Sequence, residues 1–111
     1  RLEMAKKMGA DHVYCVDTTK AMTDKQLASE IIELIGQPVD ICIECSGFES
    51  SQSMAIYATR PGGRIAIVGL GAPANRVPLS TATMKEIDLI GICRIKDEYV
   101  MRMTVVKVES N

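Results

Sequence analysis

An α/β fold built on a parallel sheet is what this sequence predicts, and three observations carry that reading. Residues 39–45, VDICIEC, form an almost unbroken apolar run, as expected of a strand buried on both faces of a parallel sheet. Residues 64–71, RIAIVGLG, form a second such run that dissolves into glycine at its carboxyl end. Between them stand a polar turn, a helix-length segment and a Pro61-Gly62-Gly63 turn, so the whole window reads as one βαβ unit.

The elements follow in order. Leu2 to Met8 reads as the last turns of a helix, with Leu2, Met4, Ala5 and Met8 as its apolar side and Gly9 as its C-cap. HVYCVD, residues 12–17, reads as a short strand from its β-branched and aromatic content. Thr23 or Asp24 caps a second helix, whose Leu27, Ile31, Ile32 and Ile35 fall on one stripe, and Gly36 and Pro38 close it. After the strand at 39–45, Ser46 and Gly47 turn the chain into a helix over residues 50–58. Residues 72–78 form a loop, 81–86 a short helical segment and DLIGIC, residues 88–93, a further strand. Residues 97–108 read as a helix, against the preference of Val100, Val105, Val106 and Val108. Each connection between strands is long enough for a right-handed crossover.

Bulk properties narrow the function. At 111 residues the chain holds one domain at most. Its 47% hydrophobic and 24% charged content is ordinary for a globular chain. A formal charge of -1 without a basic run argues against nucleic acid or an anionic membrane as partner. The longest apolar runs are strand-length, too short for a transmembrane span. The chain opens on Arg1 rather than Met and shows no signal peptide, so a true beginning upstream is expected. Cys15, Cys42, Cys45 and Cys93 all lie in or beside apolar runs. Buried free thiols suit a reducing compartment, and a cytoplasmic location is expected.

In open α/β sheets, ligands bind beyond the carboxyl ends of the strands. Gly69-Leu70-Gly71 would place bare backbone there, in reach of a nucleotide cofactor; the alternative is a plain tight turn. The third glycine of a dinucleotide fingerprint is missing, since Ala72, Pro73 and Ala74 follow. Cys42 and Cys45 form a CxxC around Glu44, but redox or zinc chemistry needs a helix amino terminus or a second ligand pair. Strand residues three apart point to opposite faces, so packing is the expected role of both thiols. Burial of Glu44 in an apolar strand is expected to raise its pKa. Arg94 is either a solvated cap on the sheet or a ligand group. His12 and Lys6, Lys7, Lys20, Lys25, Lys85 and Lys96 read as surface residues.

MGADHVYCVD, VDICIECSG, IYATRPGGRIAIVGLG, VPL and KEIDLIGICR follow one another over nearly all of residues 1–94. In order, spacing and wording this resembles the sorbitol dehydrogenases of the zinc-containing medium-chain dehydrogenase family. The resemblance implies a partial doubly wound parallel sheet. Residues 1–94 would be the second half of a Rossmann-like NAD-binding domain, and 95–111 a divergent helical tail. It implies NAD-dependent oxidation of a polyol substrate to a ketose by hydride transfer, in a homo-oligomer whose zinc is held only by the intact enzyme. It places Arg1 near the adenosine ribose, and Val68, Gly69 and Leu70 on the nicotinamide side of the cofactor. Ile92, Cys93 and Arg94 would supply a second backbone contact to the nicotinamide amide, with Arg94 also reaching the substrate.

Cys93 and Ile95 stand where the family's vertebrate enzymes have phenylalanine and tyrosine, which leaves a different alcohol open. The glycine fingerprint, the zinc ligands and the acid/base relay of the family have no counterpart in these residues. The resemblance therefore assigns no catalytic or metal-binding residue here, and the segment alone is expected to be inactive. A non-catalytic isoform, associating with intact subunits through DLIGIC as an apolar edge strand, is the alternative. Without upstream strands, HVYCV or RIAIVG is expected to lack a neighbour. At roughly 25 cal/mol per Å² a few hundred Å² of lost burial removes several kcal/mol, so the isolated chain is expected to be marginally stable.

Overall fold

The computed structural model describes residues 1–93. Their elements run α1 (Leu2–Lys7), α2 (Asp24–Ile35), β1 (Val39–Glu44), α3 (Glu49–Ala58), β2 (Thr59–Ile67), α4 (Leu79–Met84) and β3 (Asp88–Gly91). The expected helix at 97–108, the tail and the positions Arg94, Ile95 and Lys96 lie outside the described residues.

Local chemistry starts and stops α2. The Thr23 hydroxyl accepts from the Gln26 amide at 3.2 Å, and the Gln26 carboxamide accepts from the Thr23 amide at 2.8 Å, a reciprocal capping box. Gly36 ends the helix at φ 92°, a left-handed conformation that costs a glycine little. α1 is different, because none of its residues is buried.

The sheet has the order β1-β2-β3, with both pairs parallel. β2 is central, so RIAIVG has neighbours on both sides, and of the two runs of which one is expected to lack a neighbour it is HVYCV that does. HVYCVD is not a strand: residues 12–16 carry no regular structure and pair with nothing. A strand exists only through its ladder, and this segment pairs with neither outer strand of the sheet. Tyr14 instead donates its hydroxyl to the Glu30 carboxylate on α2. The Pro-Gly-Gly turn is absorbed into β2 as an irregularity. Val39 pairs with Thr59 but Ile41 pairs with Arg64, so two steps along β1 face five along β2. Pro61 has no amide to give the ladder, and Gly62 takes φ 73° while its amide donates to the Lys85 carbonyl at 2.7 Å.

α3 and α4 are the two crossovers. Ala55 and Ile56 of α3, Ile65 of β2 and Ala82 of α4 form the buried core, with Cys42, Ile67, Val77, Ile87 and Leu89 packed around it. α2 packs on α3, which puts it in the same layer of helices. The other face of the sheet is bare. Ile43, Ala66 and Ile90 form one row across it, and Ile41, Ile43, Ile90 and Ile92 are 40%, 46%, 45% and 46% exposed. The run VDICIEC is thus half exposed on this face, because the crossovers α3 and α4 pack on the opposite one. Among the described residues no helix is long and apolar enough to cross a membrane.

Chemically similar substitutions should therefore separate by face. Ile65→Val, at a residue 1% exposed, is expected to cost about 1 kcal/mol in urea denaturation. Ile43→Thr on the bare face is expected to stay within about 0.5 kcal/mol while reducing concentration-dependent light scattering.

Candidate functional site

Parallel pairing brings the carboxyl ends of all three strands to one side, where three turns meet: residues 45–48, 68–71 and 92–93. Main-chain hydrogen bonds stitch them together. The Glu44 carbonyl accepts from the amides of Val68 at 2.8 Å and Gly69 at 3.0 Å. The Ile67 carbonyl accepts from the Ile92 amide at 2.9 Å. The first two turns then interlock through glycine. Gly47 is at φ 75°, and a Cβ there would sit 2.6 Å from the Gly71 nitrogen. A Cβ on Gly69 or Gly71 would collide with the Gly47 backbone. Glycine is needed at these positions because one turn fills the side-chain space of the other. The bare backbone read from the sequence thus faces a second turn, not an open crevice.

A buried carboxylate organises this junction. Glu44 is 3% exposed and accepts from the Ser46 amide at 2.8 Å, the Ser46 hydroxyl, and the Gly47 amide through both oxygens at 3.1 Å. Burial pushes its pKa up, but the hydrogen bonds from Ser46, Ser51 and Gly47 outweigh it and hold the carboxyl below the ordinary 4.5. The sequence-based expectation of a raised pKa is therefore reversed. It counted desolvation without the donors that a strand-to-helix turn supplies. Asn75 holds the other side of Gly47, donating to its carbonyl at 3.1 Å and to the Gln52 side chain at 3.0 Å. The Glu49 carboxylate accepts from the Arg76 amide at 2.8 Å, so loop 72–78 is fastened to the start of α3.

Val68, Gly69 and Leu70 thus lie together in the second turn, with Ile92 and Cys93 one strand away and the Ser46-Gly47-Phe48 turn, expected as a turn but not as part of the site, on the other flank. Arg1 is exposed at the N-cap of α1, a helix with no buried residue to tie it to this cluster. Arg94 lies outside the described residues. Phe48 is 71% exposed and borders a cleft of about 250 Å³ lined also by Val16, Asp24, Leu27, Ser51 and Met54. An apolar cleft with an exposed ring suits a flat heteroaromatic group. The signal for it was the Phe48 that ends the Ser-Gly turn.

Two sets of residues are corrected. Three of the four thiols are exposed, Cys15, Cys45 and Cys93, and all four are free. Within the CxxC only Cys42 packs against the core, where burial first, and then the charges of Glu44 and Cys45, push its thiol up to about 11. Cys45 follows the end of β1 and is exposed. Lys85 is not a solvated surface residue: its ammonium donates to the carbonyls of Ile56 at 3.2 Å, Tyr57 at 2.9 Å and Thr59 at 3.1 Å. Among the described residues no group of three or more His, Cys, Asp or Glu side chains is placed to hold a metal ion. The Phe48 cleft fits a flat ring, while the amides of Gly47, Val68, Gly69 and Ile92 are engaged within the junction; among the described residues no donor set for zinc is found there.

Comparison with known proteins agrees with this geometry. The family model described as zinc-binding dehydrogenase matches residues 1–107. The chain is 37% identical to the sorbitol dehydrogenase of Mus musculus over 95% of its own length, but over only 29% of that protein. A solved L-idonate 5-dehydrogenase from Escherichia coli K-12 is 30% identical and superposes with a TM-score of 0.61, over 81% of this chain and 24% of that one. An alcohol dehydrogenase from Escherichia coli CFT073, solved with NADH, shares the fold with a TM-score of 0.62 at 22% identity, over 81% of this chain and 25% of that one. The chain thus spans about three-tenths of the curated relatives it matches.

The junction sets two expectations. Gly71→Ala is expected to cost about 1–3 kcal/mol by forcing backbone apart, whereas Gly91→Ala, whose Cβ meets nothing, should stay within about 0.5 kcal/mol in the same denaturation assay. Because the folded pKa of Glu44 lies below its unfolded value, its contribution is present above pH 4.5 and lost as pH falls from 4.5 through the folded value. Urea midpoints followed from pH 7 downward should show that loss, and Glu44→Gln should remove this component while lowering stability at neutral pH.

Proposed function

Since the chain belongs to the zinc-binding dehydrogenase family, we propose that it forms the nicotinamide-holding half of the NAD-binding domain of a polyol dehydrogenase. The single observation that carries this reading is the convergence of three glycine-containing strand ends, laterally hydrogen-bonded, on one side of a parallel sheet. That is where open α/β sheets bind ligands. In this reading the main chain at residues 68–70 and 92–94 holds the nicotinamide end, Arg94 reaches the substrate, and Arg1 lies toward the ribose. Phe48 and its cleft give a planar base a surface to stack on. Bound NAD supplies the hydride acceptor; these residues supply position and exclude water from one side. Zinc belongs to residues of the intact enzyme outside this segment.

The sorbitol and L-idonate dehydrogenases among its relatives support a polyhydroxylated secondary alcohol as substrate. Free thiols, three of them exposed, fit a reducing cytoplasm. A second reading has its own observation: the bare apolar face and the free edge of β3, with Ile90 and Ile92 at 45% and 46% exposure, suit association with other subunits.

Calorimetric titration with NAD, on this chain beside a chain extended upstream through a glycine fingerprint, tests both. The extended chain is expected to bind one NAD, and the short one at least about a hundredfold more weakly, since it holds one end of the ligand only. If neither binds while the short chain sediments as an oligomer, the association reading replaces the cofactor reading.

A further inference from the structure

Resting on that cofactor reading, we propose that Glu44 is the positioning residue of the nicotinamide site, fixing the distance between the two glycine turns without itself touching the reacting atoms. Its main chain and its side chain act on different turns. The carbonyl holds the Val68 and Gly69 amides, and the carboxylate holds the Ser46 and Gly47 amides and the Ser46 hydroxyl. One residue thus sets the start of both turns. Gly47 is the surface on which Gly69 and Gly71 rest, with no room for a Cβ on either side. Its amide is fixed by Glu44 and its carbonyl by Asn75, so it cannot pivot about either peptide bond without breaking a hydrogen bond.

The chemistry requires a carboxylate at this point. The Ser46 amide, the Ser46 hydroxyl and the Gly47 amide all meet one carboxylate oxygen, the Gly47 amide meets the other as well, and only an ionised acid offers acceptors alone. A carboxamide of the same shape would turn its NH₂ group toward the Gly47 N–H, which lies 3.1 Å from both oxygens, and would leave one weaker amide oxygen to accept from all the donors, so the turn would rotate to relieve it. Residues 68–70 would then be displaced by contact, since Gly69 and Gly71 lie against Gly47. The ligand affected is the nicotinamide end of the dinucleotide, held by main-chain groups whose spacing must be set before binding.

The test uses the native full-length polypeptide that carries these residues. Parent, Glu44→Gln and, as a control for loosened packing, Ile65→Val are compared in NADH binding by fluorescence and in steady-state kinetics. Glu44→Gln is expected to raise the NAD KM and the NADH Kd about tenfold and leave the alcohol KM within about twofold. Ile65→Val, remote from the turns, should leave all three values within about twofold. If Glu44→Gln does not fold, Asn75→Ala, which releases the other side of Gly47, must raise the NADH Kd about threefold. A folded Glu44→Gln with parental NAD constants, or an unaltered Asn75→Ala in its place, overturns the proposal alone. A parent that binds no NADH overturns the cofactor reading, and this inference with it.

Discussion

Direct backbone contact between Gly47 and the Gly69–Gly71 turn is the constraint on which the functional end of this molecule depends. Neighbouring strands in a sheet lie near 4.8 Å apart, so the turns leaving them compete for the same space. If either turn carried side chains at these positions, the chains would have to splay. Glycine lets them stay in contact, and hydrogen bonds from Val68 and Gly69 to the Glu44 carbonyl extend the ladder past the last paired residues. Everything attributed to the site follows from that closeness: the exposed Val68 and Leu70 at its rim, the fastened loop 72–78, and the placement of Ile92 and Cys93 one strand further on.

What could be read in the sequence divides along physical lines. Local signals were legible. Thr23 with Gln26, Gly36, and the alternation of apolar runs with helix-length segments each act within a few residues, and α2, β1, α3, β2 and β3 stand close to where they were expected. Signals that need a partner were not. HVYCVD has the composition of a strand but joins no ladder, and VDICIEC has the composition of a doubly buried strand but Ile41 and Ile43 on one of its faces are 40% and 46% exposed. The same holds in the site. Gly69 and Gly71 were legible as glycines at a strand end, but not the reason for them, because Gly47 lies more than twenty residues away in sequence. Glu44 was legible as buried, but the sign of its pKa shift depends on amides that point at it only once the turn has formed.

The bare face and the site are linked. Apolar residues on one face of a parallel sheet are expected to be covered, and here Ile41, Ile43, Ile90 and Ile92 are left between 40% and 46% exposed among the described residues. The chain spans about three-tenths of its curated relatives, and in a doubly wound sheet the cofactor crevice lies between the two halves. The half-covered face and the strand ends proposed to hold one end of a dinucleotide would both be completed by a neighbour packed against this sheet. Apolar burial and ligand binding would be completed together.

The far end of β2 explains how the strand ends come to be in register. Thr59, fully buried, donates its hydroxyl to the Ala55 carbonyl at 2.7 Å, and the Lys85 ammonium collects the carbonyls of Ile56, Tyr57 and Thr59. The first two are among the last carbonyls of α3, which have no partner within the helix and attract a cation, and the third belongs to the residue that follows it. Burial first, and then the nearby Lys25 charge, lower the pKa of Lys85, the electrostatic trace of its seat. The Lys85 carbonyl meanwhile holds the Gly62 amide. One lysine after α4 thus ties the end of α3, the irregular start of β2 and the approach to β3. Because the five-against-two step is confined between Thr59 and Arg64, the ladder from Arg64 to Ile67 runs in step with both neighbours. That is the condition for the three carboxyl ends to arrive side by side, where the glycine turns can meet.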